Sequence, residues 1–389
     1  MLVTKDIYYV GVNDHQLDLF EGQYEVPLGM AYNSYVIVDE KIAIMDTVDI
    51  NFTEEWLKNV KEVLEGKEPT YLIVHHVEPD HSASIQKILE TYPNLTVVCT
   101  QQASNLINQF YPSLKDCKKE IVKDGDCLSL GTHELSFYTA PMVHWPEVMM
   151  SYEKTSKVLF SADAFGKFGA NDVEDPEGWT REARRYYFGI VGKFGIQVQA
   201  ILKKLANLEI DYICSLHGPI LHESVQDCVK LYQTWSSYEA EEEGIFIAYA
   251  SIYGHTKEVA LLLQKELEAQ GYTNVKISDL AREDIYECVE NAFRYSTLVL
   301  ASVTYNGGLF PIMKEFIDHL LSRDYKKRKI AFIENGSWGP MAYKTMKTMF
   351  ENSKEITYIE PVITIKSSLT EENQNQIKEL ATSLKNTSI

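Results

Sequence analysis

No run of eighteen apolar residues occurs in the 389-residue chain, so a helix able to span a bilayer is not expected. The amino-terminal MLVTKDIYYVGVND has no basic patch leading into an apolar stretch and a small-residue cleavage site, which makes the cytoplasm the expected location. Cysteine is sparse and scattered, at Cys99, Cys117, Cys127, Cys214, Cys228 and Cys288, with no C-x-x-C pair. That spacing argues against an iron–sulfur cluster, a cysteine zinc site or a rubredoxin-type iron centre, and leaves the thiols mostly as small buried hydrophobes. Positive charge is short as well: 37 Lys and Arg face 56 Asp and Glu, a formal net charge of -19. Phosphate backbones would be repelled, so nucleic acid is not an expected partner. Neither G-x-x-x-x-G-K-[ST] nor G-x-G-x-x-G is present, which excludes a P-loop and a dinucleotide-binding turn. No internal repeat or low-complexity tract appears. What remains is a globular composition, 45% hydrophobic and 24% charged, long enough for two domains.

The halves are expected to meet near residue 241, as domains 1–242 and 243–389. Residues 224–243 read as a helix running into the acidic SSYEAEEE, and the β-rich GIFIAYAS follows at once. Upstream the pattern is mixed α/β. YVIV and IAIMDT suggest a hairpin around Asp39–Lys41, and Trp56, Leu57, Val60, Val63 and Leu64 share one helix face. The strand YLIV runs into HHVEPDH, and LSFYTA, VMMSY, KVLFSAD and YICS follow as short strands. Downstream the alternation is strict, with strands IFIAYA, VKIS, TLVLASV and KIAFIE separated by helices. Such βαβ order predicts an open, doubly wound parallel sheet, which binds ligands at the carboxyl ends of its strands.

Two constellations carry chemistry. His76, Glu78, Asp80 and His81 fall within six residues just past a strand, on a loop stiffened by Pro79. His144, Asp163 and His217 are ligand types placed where later strands give way to loops. Four imidazoles and three carboxylates suit two metals sharing one bridging carboxylate. Taken singly, His144 or His217 is more often a structural residue. As metal ligands His15, His75, His133, His222, His255 and His319 are set aside, and strand alternation points His75 away from His76. In the second half, Ser251, Tyr253, Gly254, His255 and Thr256 lie between a strand and an amphipathic helix, where hydroxyls and a helix N-terminus can receive a phosphate. Thr304, Tyr305, Asn306, Gly307 and Gly308 follow one strand; Asn335, Gly336, Ser337, Trp338 and Gly339 follow another. Glycines admit a flat ring, backbone amides can bond its heteroatoms, and Tyr305 and Trp338 could stack on it or simply pack.

The first half resembles the metallo-β-lactamase fold, an αββα sandwich whose signature is H-x-H-x-D-H after a strand, followed by a histidine, a bridging aspartate and a final histidine. Here Glu78 stands where the hydrolases carry their second histidine. An added carboxylate hardens the site and shifts its preference from zinc toward iron. The resemblance implies one iron on His76, Glu78 and His144, another on Asp80, His81 and His217, and Asp163 between them. Asp46 matches an aspartate that orients a ligand histidine in this fold, and is equally placed as a strand-end turn residue. The three loops of the second half resemble flavodoxin in order, spacing and content, which implies FMN.

Together the halves resemble the flavodiiron proteins over essentially the whole chain, in the two-domain form without fused rubredoxin or flavin reductase. The resemblance implies reduction of dioxygen to water, or of nitric oxide to nitrous oxide. Electron counting agrees: FMN and a diferrous pair hold two electrons each, enough for one dioxygen, and the iron pair alone suffices for two nitric oxides. It also implies an external electron donor, rubredoxin or a reduced deazaflavin, and a head-to-tail homodimer or dimer of dimers. Trp145, beside His144, either lines the pocket or packs structurally. Two other readings compete: a zinc hydrolase of the same fold with an accessory flavodoxin domain, and an electron carrier or gas sensor that binds without turnover.

Overall fold

The computed structural model describes residues 1–387, which fall into two compact units, Met1–Gln233 and Thr234 onward. In the first, a seven-stranded sheet runs in the order Leu2–Thr4, Ile7–Tyr9, Tyr35–Ile37, Ala43–Met45, Tyr71–Ile73, Thr96–Cys99, Lys119–Ile121. A five-stranded sheet runs Cys127–Ser129, Glu134–Thr139, Met149–Glu153, Val158–Phe160, Tyr212–Cys214. The expected hairpin forms, with Tyr35 opposite Met45 and Ile37 opposite Ala43. Short alternating strands put one apolar side of each sheet inward. Tyr35, Ile37, Met45, Ile73 and Val98 of the larger sheet pack with Leu135, Phe137, Met149, Val158 and Phe160 of the smaller in one cluster. The helix Thr53–Leu64 buries Trp56, Leu57, Val60 and Leu64, as its 3.6-residue spacing requires, with Val63 half-buried. Candidate ligands therefore emerge from the carboxyl ends of strands whose apolar bodies are fixed in a core.

The second unit is a parallel sheet in the order Val275–Asp279, Glu242–Ala250, Tyr295–Tyr305, Arg328–Asn335, Ile356–Ile365. All four main pairings are parallel. The strand order reverses at Glu242–Ala250, whose neighbours are the second and third strands of the unit. A crevice at the carboxyl ends is expected there. The core gathers Ile245, Ile247, Val299 and Ile333 with Val259 and Leu263 of the helix His255–Ala269, and Ile377 and Leu380 of the last helix.

One expectation changes. The helix before the second unit ends at Ser236, not at residue 243. Tyr238 takes a left-handed backbone (φ 61), and the acidic stretch enters the first strand of the sheet. Its charges are used there: Arg294 donates to Glu242 at 2.6 and 2.8 Å, and Ser296 to Glu243 at 2.8 Å.

Arg328 fastens the same junction. Its buried guanidinium donates to the carbonyls of Tyr238 (2.6 Å), Lys327 (3.0 Å), Lys326 (3.3 Å), Glu239 (3.4 Å) and Phe293. Methionine fills a similar space but leaves those carbonyls without a donor. Arg328→Met is expected to lower the stability of this unit by about 3 kcal/mol. Urea unfolding would measure it, and a midpoint equal to wild type would refute it.

Candidate metal centre and flavin site

The strand Tyr71–Ile73 delivers the chain to His75 and His76, and Pro79 opens the short helix Pro79–Ser82. Asp46 sets this turn before any metal is considered. Its carboxylate accepts the backbone N–H of His75 (2.7 Å) and of His76 (3.4 Å), and takes the His75 ring at 2.5 Å. The far nitrogen of that ring meets Ser151 at 2.7 Å, so His75 points away from the cluster, as alternation predicts. Asp46 thus acts on the loop's backbone and on His75, not on the ring of His76. Thr47 fixes the far end, donating to the carbonyl of His81 through its hydroxyl (2.8 Å) and its amide (3.0 Å).

The seven residues converge in two adjoining groups, His76–Glu78–His144–Asp163 and Asp80–His81–His217. In the first, Glu78 Oε2 lies 3.1 Å from Nε2 of both His76 and His144, and Asp163 Oδ2 lies 3.4 and 3.1 Å from the same nitrogens. In the second, Asp80 Oδ2 is 3.3 Å from Nε2 of both His81 and His217, which are 3.0 Å from each other. Asp163 Oδ1 turns to this group, at 3.4 Å from His81 and 3.9 Å from His217. Bonds of about 2.1 Å to one ion place neighbouring donors about 3.0 Å apart at right angles and about 3.4 Å apart at the tetrahedral angle. All but the longest separation fall in that interval.

The polar atoms also ask for a cation. Both oxygens of Asp80 and Oδ1 of Asp163 are buried and accept no hydrogen bond among the described residues. His217 donates Nδ1–H to the carbonyl of Ala31 (2.8 Å), so in the neutral ring its Nε2 lone pair faces His81. Burial alone would depress His76, but Asp163, Glu147 and Glu78 hold it well above the usual imidazole range. The same opposition, burial against Asp163 and Glu78, leaves His144 at about 9. Burial would raise Glu78 and Asp163, yet the facing imidazoles keep both below the ordinary carboxylate range. A dication at each group would satisfy these charges without the extra protons.

Several neighbours were not singled out from the sequence. Glu147, buried, accepts Nδ1–H of His76 at 2.7 Å and the Val77 amide at 3.0 Å. The ring of Tyr186 lies 5.5 Å from His217, and its buried hydroxyl has no hydrogen-bond partner among the described residues. Burial and then Asp163, Asp80 and Glu78 raise that phenol well above its usual value. Phe20, in the hairpin of Leu19–Phe20 and Tyr24–Glu25, packs edge-on to His217 at 5.4 Å. Next to it Glu21 stands within electrostatic reach of Glu78, and burial with that charge raises its carboxyl. Trp145, by contrast, was singled out beside His144: it lies edge-on to His76 (5.2 Å) and stacks on Phe110 (6.1 Å), which makes it a wall of the centre.

In the second unit a cavity of about 600 Å³ opens at the carboxyl ends of the strands. Ser251, Tyr253, His255 and Thr256 line it, with Thr304, Tyr305, Asn306 and Gly307, the run Asn335, Gly336, Ser337, Trp338 and Gly339, and Ser367. Two of the expected residues, Gly254 and Gly308, are not among the lining residues. They shape the loops instead: Gly254 (φ 94) donates its N–H to Ser251 Oγ at 3.1 Å, and Gly308 pairs with Tyr305. Thr304 also works on its neighbours, its hydroxyl accepting the amides of Met341 (2.9 Å) and Ala342 (3.2 Å). Asn335 and Ser367 exchange bonds at 3.0 and 3.1 Å, and Ser367 meets Ser337 at 2.8 Å, so the loops are tied together. Ser367 was not foreseen.

Among the described residues the helix His255–Ala269 begins here without a side-chain cap, and Thr256 Oγ1 is buried with no partner. These are donors in want of an anion. Trp338 is 97% and Tyr253 90% exposed, a wasteful placement of aromatic area unless something flat covers it. Thr256→Val keeps the shape and removes the hydroxyl. It is expected to weaken FMN binding about 10- to 100-fold, the worth of a hydrogen bond to a charged group. Fluorescence titration measures this, and unchanged affinity would exclude Thr256 from the phosphate site.

Fold and sites define a class: a metallo-β-lactamase-like unit followed by a flavodoxin-like unit. A family model described as ODP family beta lactamase matches residues 30–218. An uncharacterised protein of Methanocaldococcus jannaschii is 30% identical over 355 residues, 90% of this chain and 89% of that protein. An anaerobic nitric oxide reductase flavorubredoxin of Salmonella paratyphi B is 28% identical over 363 residues, 91% of this chain and 75% of that one. The crystal structure of the flavodiiron protein of Giardia intestinalis superimposes with a TM-score of 0.92 at 25% identity, covering 99% of this chain and 96% of that one. The chain belongs to the flavodiiron protein family of oxidoreductases.

Proposed function

We propose that this chain reduces dioxygen to water, or nitric oxide to nitrous oxide, at a pair of non-haem irons supplied with electrons through FMN. His76, Glu78 and His144 would hold one iron, Asp80, His81 and His217 the other, and Asp163 both. The observation that carries this is the Asp163 carboxylate, with Oδ2 facing His76 and His144 and Oδ1 facing His81 and His217. When bound, the irons and the flavin supply the electrons and the open coordination position that gas reduction requires.

The chain's own residues supply the rest. Glu78 adds the carboxylate that separates this donor set from H-x-H-x-D-H and favours iron. Asp46 and Thr47 hold the ligand loop at both ends, so donors are positioned before metal arrives. Phe20, Trp145 and the Tyr186 ring wall the centre with apolar surface that restricts water. In the second unit, Thr256 and the helix start would receive the phosphate while Trp338 and Tyr305 flank the ring.

No helix of the described residues is long and apolar enough to cross a membrane, and the described cysteines are free thiols. Both suit the proposed cytoplasmic setting, where an external donor such as rubredoxin or a reduced deazaflavin would reduce the flavin. The working form would be a homodimer, which equilibrium sedimentation checks directly. The decisive experiment is anaerobic reduction of purified protein, then titration with each gas on a sample assayed for metal and flavin. Two irons and one FMN per chain with consumption of either gas are expected. Two zincs with hydrolase activity and no gas uptake would overturn the proposal.

A further inference from the structure

The two halves of the metal centre differ behind their imidazoles. His76 Nδ1 donates to Glu147 Oε1 at 2.7 Å. The same oxygen takes the amide of Val77 at 3.0 Å, so ring and loop are held by one atom. Glu147 is 2% exposed, and its main-chain carbonyl is fixed by the Thr100 hydroxyl at 3.1 Å. Its other oxygen is buried with no hydrogen-bond partner among the described residues, so the two N–H groups on Oε1 are the donors given to this carboxylate. Across the centre the support is neutral or missing. His217 Nδ1 donates to the Ala31 carbonyl, and His81 Nδ1 is buried with no partner among the described residues.

A carboxylate behind an imidazole does two things. It fixes the tautomer, so that Nε2 presents its lone pair inward, and it makes that nitrogen a stronger donor. Only the His76 half receives both, and it already contains Glu78. The Asp80–His81–His217 half has one carboxylate of its own and no anion behind its rings.

We propose that Glu147 is a positioning residue that makes the two metal positions unequal, so that the His76–Glu78–His144 position loads first and empties last. The inference rests on the diiron reading above. Glu147 touches neither metal nor substrate; it acts through the orientation and basicity of His76. Its consequence is an ordered assembly, in which the second ion enters a centre already fixed by the first.

The test is a titration of the full-length, flavin-loaded, metal-stripped chain with cobalt(II) under anaerobic conditions, followed by visible absorption against a competing chelator. Wild type should bind in two steps, the first at least tenfold tighter. Glu147→Ala should weaken the first step 10- to 100-fold and leave the second within threefold, so that the steps merge. Glu147→Gln keeps an oxygen for both N–H groups but loses the charge, and should fall between the two. His217→Ala assigns the steps: the first should stay within threefold of wild type and the second vanish. Circular dichroism and flavin content confirm that each variant is folded.

Two equal steps in wild type would overturn the proposal. So would equal weakening of both steps in Glu147→Ala, which is what a merely structural residue would cause, or no change in either variant. A chain that binds fewer than two ions in wild type would instead sink the diiron reading, so the two failures are distinguishable.

Discussion

Asp163→Ala is expected to strip both metals from the chain and to reduce gas turnover by at least a thousandfold. Its two oxygens serve different groups, Oδ2 facing His76 and Oδ1 facing His81, so its loss is felt by both halves of the centre. Two dications held roughly 3.5–4 Å apart repel strongly and need an anion between them. Without it, His76, Glu78 and His144 remain as a three-donor site, and Asp80, His81 and His217 as another, with the mutual repulsion unrelieved. Metal analysis after anaerobic reconstitution should find well under one iron per chain, while FMN content stays at wild type because the flavin loops lie in the other unit. A variant that retains two irons and a tenth of the activity would disprove the bridging role.

Glu78→His tests the feature that separates this centre from its hydrolytic counterparts. Glu78 Oε2 sits 3.1 Å from Nε2 of both His76 and His144, so a substituted donor must reach the same point. Imidazole can do so while removing one negative charge, which leaves five imidazoles and two carboxylates around the pair. Softer, less anionic donors favour zinc over iron. The zinc-to-iron ratio bound from an equimolar mixture should rise at least tenfold, and gas consumption should fall at least a hundredfold. Unaltered iron preference and oxygen uptake would mean that selectivity resides elsewhere. Glu78→Gln, which keeps the reach and loses the charge, separates the electrostatic contribution from the geometric one.

Much of this candidate centre is legible in the sequence because the first four of its candidate ligands are local. His76 to His81 declare themselves by density, whereas His144, Asp163 and His217 gain meaning only as later members of a known order. The fold behind them is equally readable, since short apolar runs alternate with polar turns in the first half and with amphipathic helices in the second. The residues that escaped notice owe their roles to tertiary contact. Tyr186 lies on a helix whose other positions give no hint that its ring will meet His217. Glu21 is one acid in a polar turn, unremarkable until the hairpin folds over the centre. Glu147 carried a weak signal, being three residues beyond a proposed ligand in a tight loop. The strand Ile356–Ile365 was hidden by Pro361, which interrupts its apolar pattern as prolines do at sheet edges. The acidic stretch at the junction misled for a related reason. Charge there looked like a solvated helix end, but Arg294 and Ser296 draw Glu242 and Glu243 into a strand.

The apolar cluster of the first unit and that of the second share no residue, and each candidate ligand site belongs to one unit alone. A ligand that binds only the folded form stabilises the part it occupies, by about 2.7 kcal/mol when present at a hundred times its dissociation constant, and so raises its melting temperature. Calorimetry of a single chain therefore offers two separately adjustable endotherms. A chelator should slide one downward, flavin depletion the other, and each serves as the internal reference for its companion.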